Sequence, residues 1–388
     1  MTRQLVLLGS GPAHLCLLAR LARQLPPGAS TGIKITLISR NQQPVNARHL
    51  PGFVAGRLTL EACSFDIEPL VQKTGVQWIE SHTIALDANA HALLLADGQK
   101  IRYDWLSIDL EPTLDRAQIE LQLPGACANG LFVRPALVFC KLWPSVLELA
   151  CTRALRVAVV CDKPIAAVIA PADTPADRKT IAQEIAGIEL AMAIHHALPH
   201  CAMTLITGGA PLLSTSSASS ASLRQLLAKT LMSKGITVLA DAATAIQRGE
   251  ITLASGASLA CDVPVLATHA HAPAITVASA LAKDAQGFVA VDSTLRCVSH
   301  SNVFAVPDSA QDGDLYAAVL AQTLTRATGL PFSSTSDRGT PRLRGLQFVA
   351  CGDGRAIASW GSYSASGRLM GWLKQRLDQS RMGLYRAR

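Results

Sequence analysis

An α/β chain organised around two successive βαβ units is the fold class this sequence predicts, on three observations. The first is the N-terminal stretch: an apolar strand from Gln4 to Leu8, a turn holding Gly9 and Gly11, and a helix entered at Pro12. The second is a repeat of that outline further on, with a strand from Arg156 to Cys161, a strong helix from Ile181 to Leu198 and a strand from Ala202 to Thr207. The third is that each unit runs on into alternating meander strands and a buried return strand, a duplication at the level of pattern.

In the opening turn, glycines let the backbone approach a diphosphate, and the N–H groups and dipole of the following helix favour its charge. The full fingerprint has glycine at its sixth position, where this chain has His14. The helix carries Leu15, Leu18, Ala19, Ala22 and Leu25 on one face and stops at Pro26-Pro27-Gly28 before a second strand, Lys34 to Ser39. An acidic ribose-binding residue usually ends that strand. Ser39-Arg40-Asn41 stand there instead, and Arg40 is placed either to meet a phosphate or to be solvated.

Asn41 to Arg57, with Pro51-Gly52 and Gly56, reads as a loop lying over a bound dinucleotide, and Glu61 to Thr74 as a helix. Strands follow at Thr83 to Asp87, His91 to Leu95 and Lys100 to Tyr103, with Asp104 to Asp109 as the return strand. The second segment starts near Pro124-Gly125. Its helix from Ala136 to Cys151 contains Pro144, which predicts a kink or an interruption. Ser222 to Lys234 is a further helix, and Glu250 to Ala260 a hairpin around Ser255-Gly256 that leads into the return strand Val263 to Thr268. Gly287 to Asp292 and Val303 to Val306 are predicted strands, and Tyr316 to Thr328 a helix. After a polar linker, Leu346 to Trp360 is a hairpin. Arg368 to Arg381 is a basic amphipathic helix with Leu369, Trp372, Leu373 and Leu377 on one face.

A chain of 388 residues has room for two domains, or for one inserted in another. Apolar residues make up 49% and charged residues 16%, yet no run of apolar residues is long enough for a spanning helix. The net charge is +7, with Arg368, Lys374, Arg376, Arg381, Arg386 and Arg388 concentrated at the end against Asp378. Nucleic acid and an anionic membrane both suit such a tail. The 10 cysteines are scattered without Cys-x-x-Cys spacing, which points to reduced thiols in the cytoplasm and away from a disulfide framework or a zinc site. The 10 histidines offer no ligand cluster, so no metal is expected.

In this order the pieces resemble the two-domain flavoproteins of the pyridine nucleotide-disulfide oxidoreductase superfamily, in particular their type II NADH dehydrogenase-like branch. The chain is similar to the oxidoreductase module found fused to selenide, water dikinase. The residues that carry the likeness are Leu5 to His14, Leu50-Pro51-Gly52 with Gly56, Asp97-Gly98, Tyr103 to Asp109, Arg134-Pro135, Gly287 to Asp292, Val303 to Ala305, and Arg355 to Gly361 through Trp372 to Lys374 and Asp378. The resemblance implies two Rossmann-like domains of three-layer ββα type, the second inserted in the first. An FAD domain would span 1–123 and 271–332, an NAD(P)-binding-like domain 124–270, and a C-terminal hairpin and helix 339–388.

It further implies FAD as cofactor, with Gly9, Gly11, Pro12 and His14 at the diphosphate and Asp308 at the ribityl chain. Pro307 stands where the family has glycine. Pro51 and Gly52 would approach the isoalloxazine and Arg134-Pro135 the crossover, with Arg40 added to the same site. Gly187, Glu189 and Thr268 would belong to an NAD(P)H site. Two departures fall there: the run from Cys161 to Gln183 contains no glycine where the second fingerprint is expected, and the family's Ala-Thr-Gly becomes Ala267-Thr268-His269.

The implied function is transfer of electrons from NAD(P)H through flavin to a quinone or another acceptor. No catalytic acid or base is assigned, because hydride transfer needs alignment above all. A cofactor-binding or interaction protein without nicotinamide-linked activity is the alternative. Sulfide oxidation on the same fold needs a pair of cysteines near the flavin, and no obvious pair stands there. The expected setting is cytoplasmic, without nucleic acid, and the basic helix in 368–388 is expected either to pack against the FAD domain or to attach the protein peripherally to the inner face of a membrane.

Overall fold

In a computed structural model, described for residues 2–24, 32–40, 43–161, 175–209, 211–212, 221–267, 271–306, 313–332 and 346–385, the first unit runs β1 (Arg3–Leu8), α1 (Pro12–Gln24) and β2 (Ile33–Ser39). Three short helices follow, α2 (Leu50–Val54), α3 (Leu60–Cys63) and α4 (Glu68–Thr74), then β3 (Gln77–Glu80). Strands β4 (Thr83–Asp87), β5 (Ala92–Leu95) and β6 (Lys100–Arg102) form an antiparallel meander, and β7 (Trp105–Ile108) returns. Helices α5 (Arg116–Gln122) and α6 (Ala126–Asn129) lead to β8 (Leu131–Phe132), α7 (Ala136–Thr152) and β9 (Arg156–Cys161).

The second unit continues with α8 (Pro175–Ala197), β10 (Ala202–Ile206), α9 (Ala221–Ser233) and β11 (Thr237–Leu239). Its meander is β12 (Ala243–Gln247), β13 (Glu250–Leu253) and β14 (Ser258–Ala260), and its return strand β15 (Val263–Ala267). The chain ends with α10 (Ala274–Val277), β16 (Val303–Ala305), α11 (Gly313–Thr328), β17 (Leu346–Ala350), β18 (Ala356–Trp360), β19 (Tyr363–Gly367) and α12 (Arg368–Met382).

Two five-stranded parallel sheets result, ordered β16-β7-β1-β2-β3 and β11-β10-β9-β15-β8. Each has its three-stranded antiparallel meander, the arrangement expected from the duplicated pattern. Leu5, Val6 and Leu7 of β1 are fully buried because a central parallel strand is covered on both faces. Helix α1 is buried nearly all round, from Ala13 to Ala22 except Arg20, so it is an interior helix and not the one-faced helix the periodicity predicts. It packs against Ala317, Leu320, Ala321 and Leu324 of α11.

Several boundaries differ from the sequence reading, each for a local reason. Residues 50–54 form a helix where a loop is expected: Leu50 and Val54, four residues apart, bury one face in the core beneath the second sheet. The helix expected from Glu61 to Thr74 is broken, because Ser64 is extended and bridges to Val45 while Phe65 N–H donates to the Pro44 carbonyl. Pro144 lies inside a continuous α7. Gly287 to Asp292 makes only isolated bridges, Lys283 with Val289 and Val291 with Cys297, and no regular strand. The C-terminal hairpin gains a third strand, β19, paired antiparallel to β18 across Gly361-Ser362.

Helix α12 is also turned from its predicted setting. Leu373 and Leu377 face the protein, but Leu369 and Trp372 are 66% and 55% exposed. The remaining inward positions include Lys374 and Asp378, so packing follows a polar contact as much as an apolar stripe. Beyond α12, Tyr385 is buried against Phe65 with ring centroids 4.6 Å apart, and the Leu384 carbonyl accepts from Arg23 at 2.7 Å.

Candidate functional site

The turn after β1 is built by two glycines with different tasks. Gly9 has φ +97, a conformation side chains rarely adopt, and its N–H donates to the Ile38 carbonyl at 2.8 Å. Gly11 lies directly on the Asp109 carboxylate, where an added Cβ would overlap it. Its N–H donates to the Asp109 carbonyl at 3.0 Å, and His14 N–H donates to Asp109 Oδ2 at 2.9 Å. Asp109 is fully buried, and its Oδ1 has no hydrogen-bond partner among the described residues. A carboxylate from the return strand thus serves part of the helix N-terminus, while Ala13 N–H carries no hydrogen bond from the described residues.

His14 fills the position where the fingerprint has glycine. Its ring is fully buried, with Nδ1 2.8 Å from the Gly9 carbonyl and Nε2 2.8 Å from Ser107 Oγ. A carbonyl only accepts, so Nδ1–H donates and Nε2 accepts from the Ser107 hydroxyl. Burial pulls the imidazole below its ordinary value, against the opposing pull of Asp109 and the Gly9 carbonyl. The ring is therefore neutral and braces the turn from beneath. Ser107 and Asp109 are the residues the fingerprint did not reveal. The signal was a polar pair inside a return strand that is otherwise apolar.

Other predicted residues lie at the carboxyl ends of the two sheets, where open α/β sheets place their ligands. Arg134 follows β8 in a cis peptide with Pro135, and its Nη1 is buried without a hydrogen-bond partner among the described residues. Glu111, just past β7, lies near it. The surrounding protein raises the Glu111 carboxyl and Arg134 pulls it down, with burial the larger effect. Glu111 keeps an exposed surface and is not a core residue. Arg40 is exposed at the end of β2, Pro51 opens α2, and Gly52 packs against the Leu58 side chain. Pro307, Asp308 and Thr268 lie outside the described residues, as does the stretch where the second fingerprint is expected.

Gly187 and Glu189 serve packing and charge. A Cβ at Gly187 would sit 2.6 Å from Cys161 Sγ, so this glycine lets α8 press onto β9. Glu189 Oε1 accepts from Ala350 N–H at 2.6 Å and lies 4.0 Å from Lys374 Nζ, which donates to Asp378 at 2.8 Å. Burial raises the Glu189 carboxyl despite Lys374 and the Ala350 amide. For Lys374 burial opposes the charge, but Glu189 and Asp378 outweigh it and its value rises. His49, buried beside them with Nδ1 unpartnered, is lowered chiefly by burial.

Among the described residues no group of three metal-ligating side chains occurs. Cys63 and Cys140, from separate segments, lie close enough that Cys140 helps to raise Cys63. Burial pushes Cys63 to about 12 and Cys140, Cys261 and Cys351 each to about 11. These four thiols are therefore protonated, poor nucleophiles at neutral pH.

The comparisons with known proteins agree on the fold. No family model matches the chain, and no curated protein matches it in sequence. Among solved structures it is similar to the sulfide:quinone oxidoreductase of the hyperthermophilic bacterium Aquifex aeolicus, with TM-score 0.75 and 17% identity over 99% of this chain and 91% of that one. It is similar also to NDH2 from Plasmodium falciparum in complex with NADH, with TM-score 0.70 and 13% identity over 99% and 97% of the two chains. A ferredoxin reductase from Rhodopseudomonas palustris gives 0.67 and 18% over 92% and 81%. The chain thus shares the fold of these solved structures, and its two-unit α/β architecture is the one the order of motifs predicts.

Proposed function

We propose that the protein is an FAD-dependent oxidoreductase that takes electrons from NAD(P)H and delivers them to a quinone or another acceptor. The observation that carries this is the Gly9–Gly11 turn at the carboxyl end of a central parallel strand, opening a helix whose Ala13 N–H is unpaired within the described residues. Ala13 N–H is the donor open to a diphosphate there: the Gly9 and Gly11 N–H groups already donate to the Ile38 and Asp109 carbonyls, the two glycines shape the turn against Asp109, and neutral His14 adds no charge beneath it. The flavin, when bound, supplies hydride acceptance and onward electron transfer. The chain's part is to seat it. In this reading Gly9 and Gly11 shape the turn, Ala13 N–H meets the diphosphate, Arg134 and Glu111 line the cleft, and segments 1–123 and 271–332 form the flavin unit with 124–270 inserted.

Burial keeps Cys63, Cys140, Cys261 and Cys351 protonated, which supports an acceptor reaction that does not run through these four of the ten cysteines. Anaerobic titration with NADH and with NADPH tests the reading. Bleaching of the visible flavin band by either donor is expected, and a flavin-loaded protein that bleaches with neither loses the nicotinamide half.

We infer also that the protein attaches peripherally to a membrane. Among the described residues no helix is long and apolar enough to cross one. The outer side of α12 presents Leu369 and Trp372 between Arg368 and Arg376, a composition that suits an anionic interface. Sedimentation with anionic vesicles should fall severalfold for L369S/W372S at unchanged thermal stability, and equal sedimentation would refute the attachment.

A further inference from the structure

A cavity of about 330 Å³ opens where the β17–β18 turn meets the C-terminal end of α8 and the start of α12. Its walls include Arg57, His196, Arg368, Trp372 and Gln375. Helix α8 begins at Pro175, and His196 lies in its last turn, about 30 Å away at 1.5 Å per residue. The cavity is thus remote from the helix start at which the second sheet would hold a dinucleotide.

Its charge is one-sided. Asp353 is the acid on the wall, and both its oxygens are engaged: Oδ2 accepts from Lys234 Nζ at 2.8 Å and Oδ1 from Arg355 N–H at 3.0 Å. Neither Arg57 nor Arg368 has a carboxylate partner among the described residues. A third guanidinium, that of Arg376, sits 5.5 Å over the Trp372 ring. Two unopposed guanidinium groups in a concavity concentrate anions and offer forked donors to a tetrahedral oxyanion.

The backbone is shaped for this approach. Gly354, at φ +88, lets the Arg57 guanidinium come so near that an added Cβ would stand 2.6 Å from Nη1. Gly371 lets α12 press onto the Gly354 carbonyl, where an added Cβ would overlap it. The volume is at the small end of ligand sites, which run from about 300 Å³ upward. It therefore admits a phosphate with a short organic part, whose apolar side meets Trp372.

We propose that this cavity is a binding site for a phosphate ester, held by Arg57 and Arg368. The same chemistry is presented by a glycerophospholipid headgroup and by a soluble organic phosphate. The site stands apart from the flavin reading, since its occupancy is measured without redox turnover.

The test is calorimetric titration of the whole protein with glycerol 1-phosphate in vesicle-free buffer, followed by sedimentation with phosphatidylglycerol and with phosphatidylcholine vesicles. Saturable binding is expected, weakened at least tenfold in R57A/R368A and unchanged in K100A/R102A, which removes the same charge from β6. If R57A alone, which leaves Arg368 and the α12 face intact, lowers sedimentation with phosphatidylglycerol more than R102A does, the ligand is the lipid headgroup. If sedimentation is equal while glycerol phosphate binding is lost, the ligand is a soluble ester. Absence of saturable binding to the folded wild type, or equal weakening in both double variants, overturns the site.

Discussion

Replacing Lys374 by Met isolates the Glu189 charge inside the junction of α8, β17 and α12. At the 4.0 Å separation of Lys374 Nζ and Glu189 Oε1, a pair at an effective dielectric of 20 attracts by about 4 kcal/mol. The side chains retain 20% and 12% exposure, so screening reduces this, and a net loss of about 2 kcal/mol is expected. The pH dependence follows from the direction of the Glu189 shift. A carboxyl raised in the folded state makes stability fall as pH climbs from the unfolded value of about 4.3 to the folded one, and then level off. Removing Lys374 raises the folded value further, so K374M should lose stability over a window that extends to higher pH than in the wild type. Denaturant melts monitored by tryptophan fluorescence across that range measure the effect, with E189Q/K374M as the partner variant. The double variant should recover much of the loss and flatten the profile. A double variant no more stable than K374M, or a K374M profile parallel to wild type, refutes the argument.

Three further outcomes follow from the glycine turn and the histidine beneath it. G11A drives a methyl group into the Asp109 carboxylate, so purified protein should carry several-fold less flavin per chain by absorbance, and full occupancy would contradict the cradle. S107A removes the donor to His14 Nε2 and leaves a buried acceptor unpaired, a loss of about 1–3 kcal/mol in thermal or chemical unfolding. His14 is depressed in the folded state, so it contributes stability that is present above about pH 6.5 and lost as pH falls below it. H14Q should show a weaker decline on acidification through that range, and an unchanged acid limb would remove His14 from the linkage.

The parallel units were legible because central strands such as Leu5 to Leu8 are continuous apolar runs, and the meanders because they alternate around tight glycine turns. What escaped was decided by partners distant in sequence. Ser64 leaves its helix to bridge Val45, and residues 50–54 become helical only because a core from the other unit receives Leu50 and Val54. Gly287 to Asp292 has strand composition but meets no neighbouring ladder. In the site, the glycines were readable and the load beneath them was not: His14 looked like a lost glycine until Ser107 and Asp109, from nearly a hundred residues on, closed around it. Glu189 was read from a nucleotide-facing pattern, yet the residues bonded to it lie in the C-terminal sheet and helix, which no local periodicity announces.

Helix α2 has a dynamic consequence. Leu50, Val54 and Ala55, contributed by the first unit, belong to the same buried cluster as Val157 and Val159 of β9, Ile188 of α8, and Val349 and Ile357 of the C-terminal sheet. A hinge between the two parallel sheets would have to withdraw these side chains into water. The units should therefore exchange their amide hydrogens as one cooperative block, with α2 protected as strongly as β9. The frame around the carboxyl ends of the two sheets is thus nearly fixed, set by packing and not by domain closure.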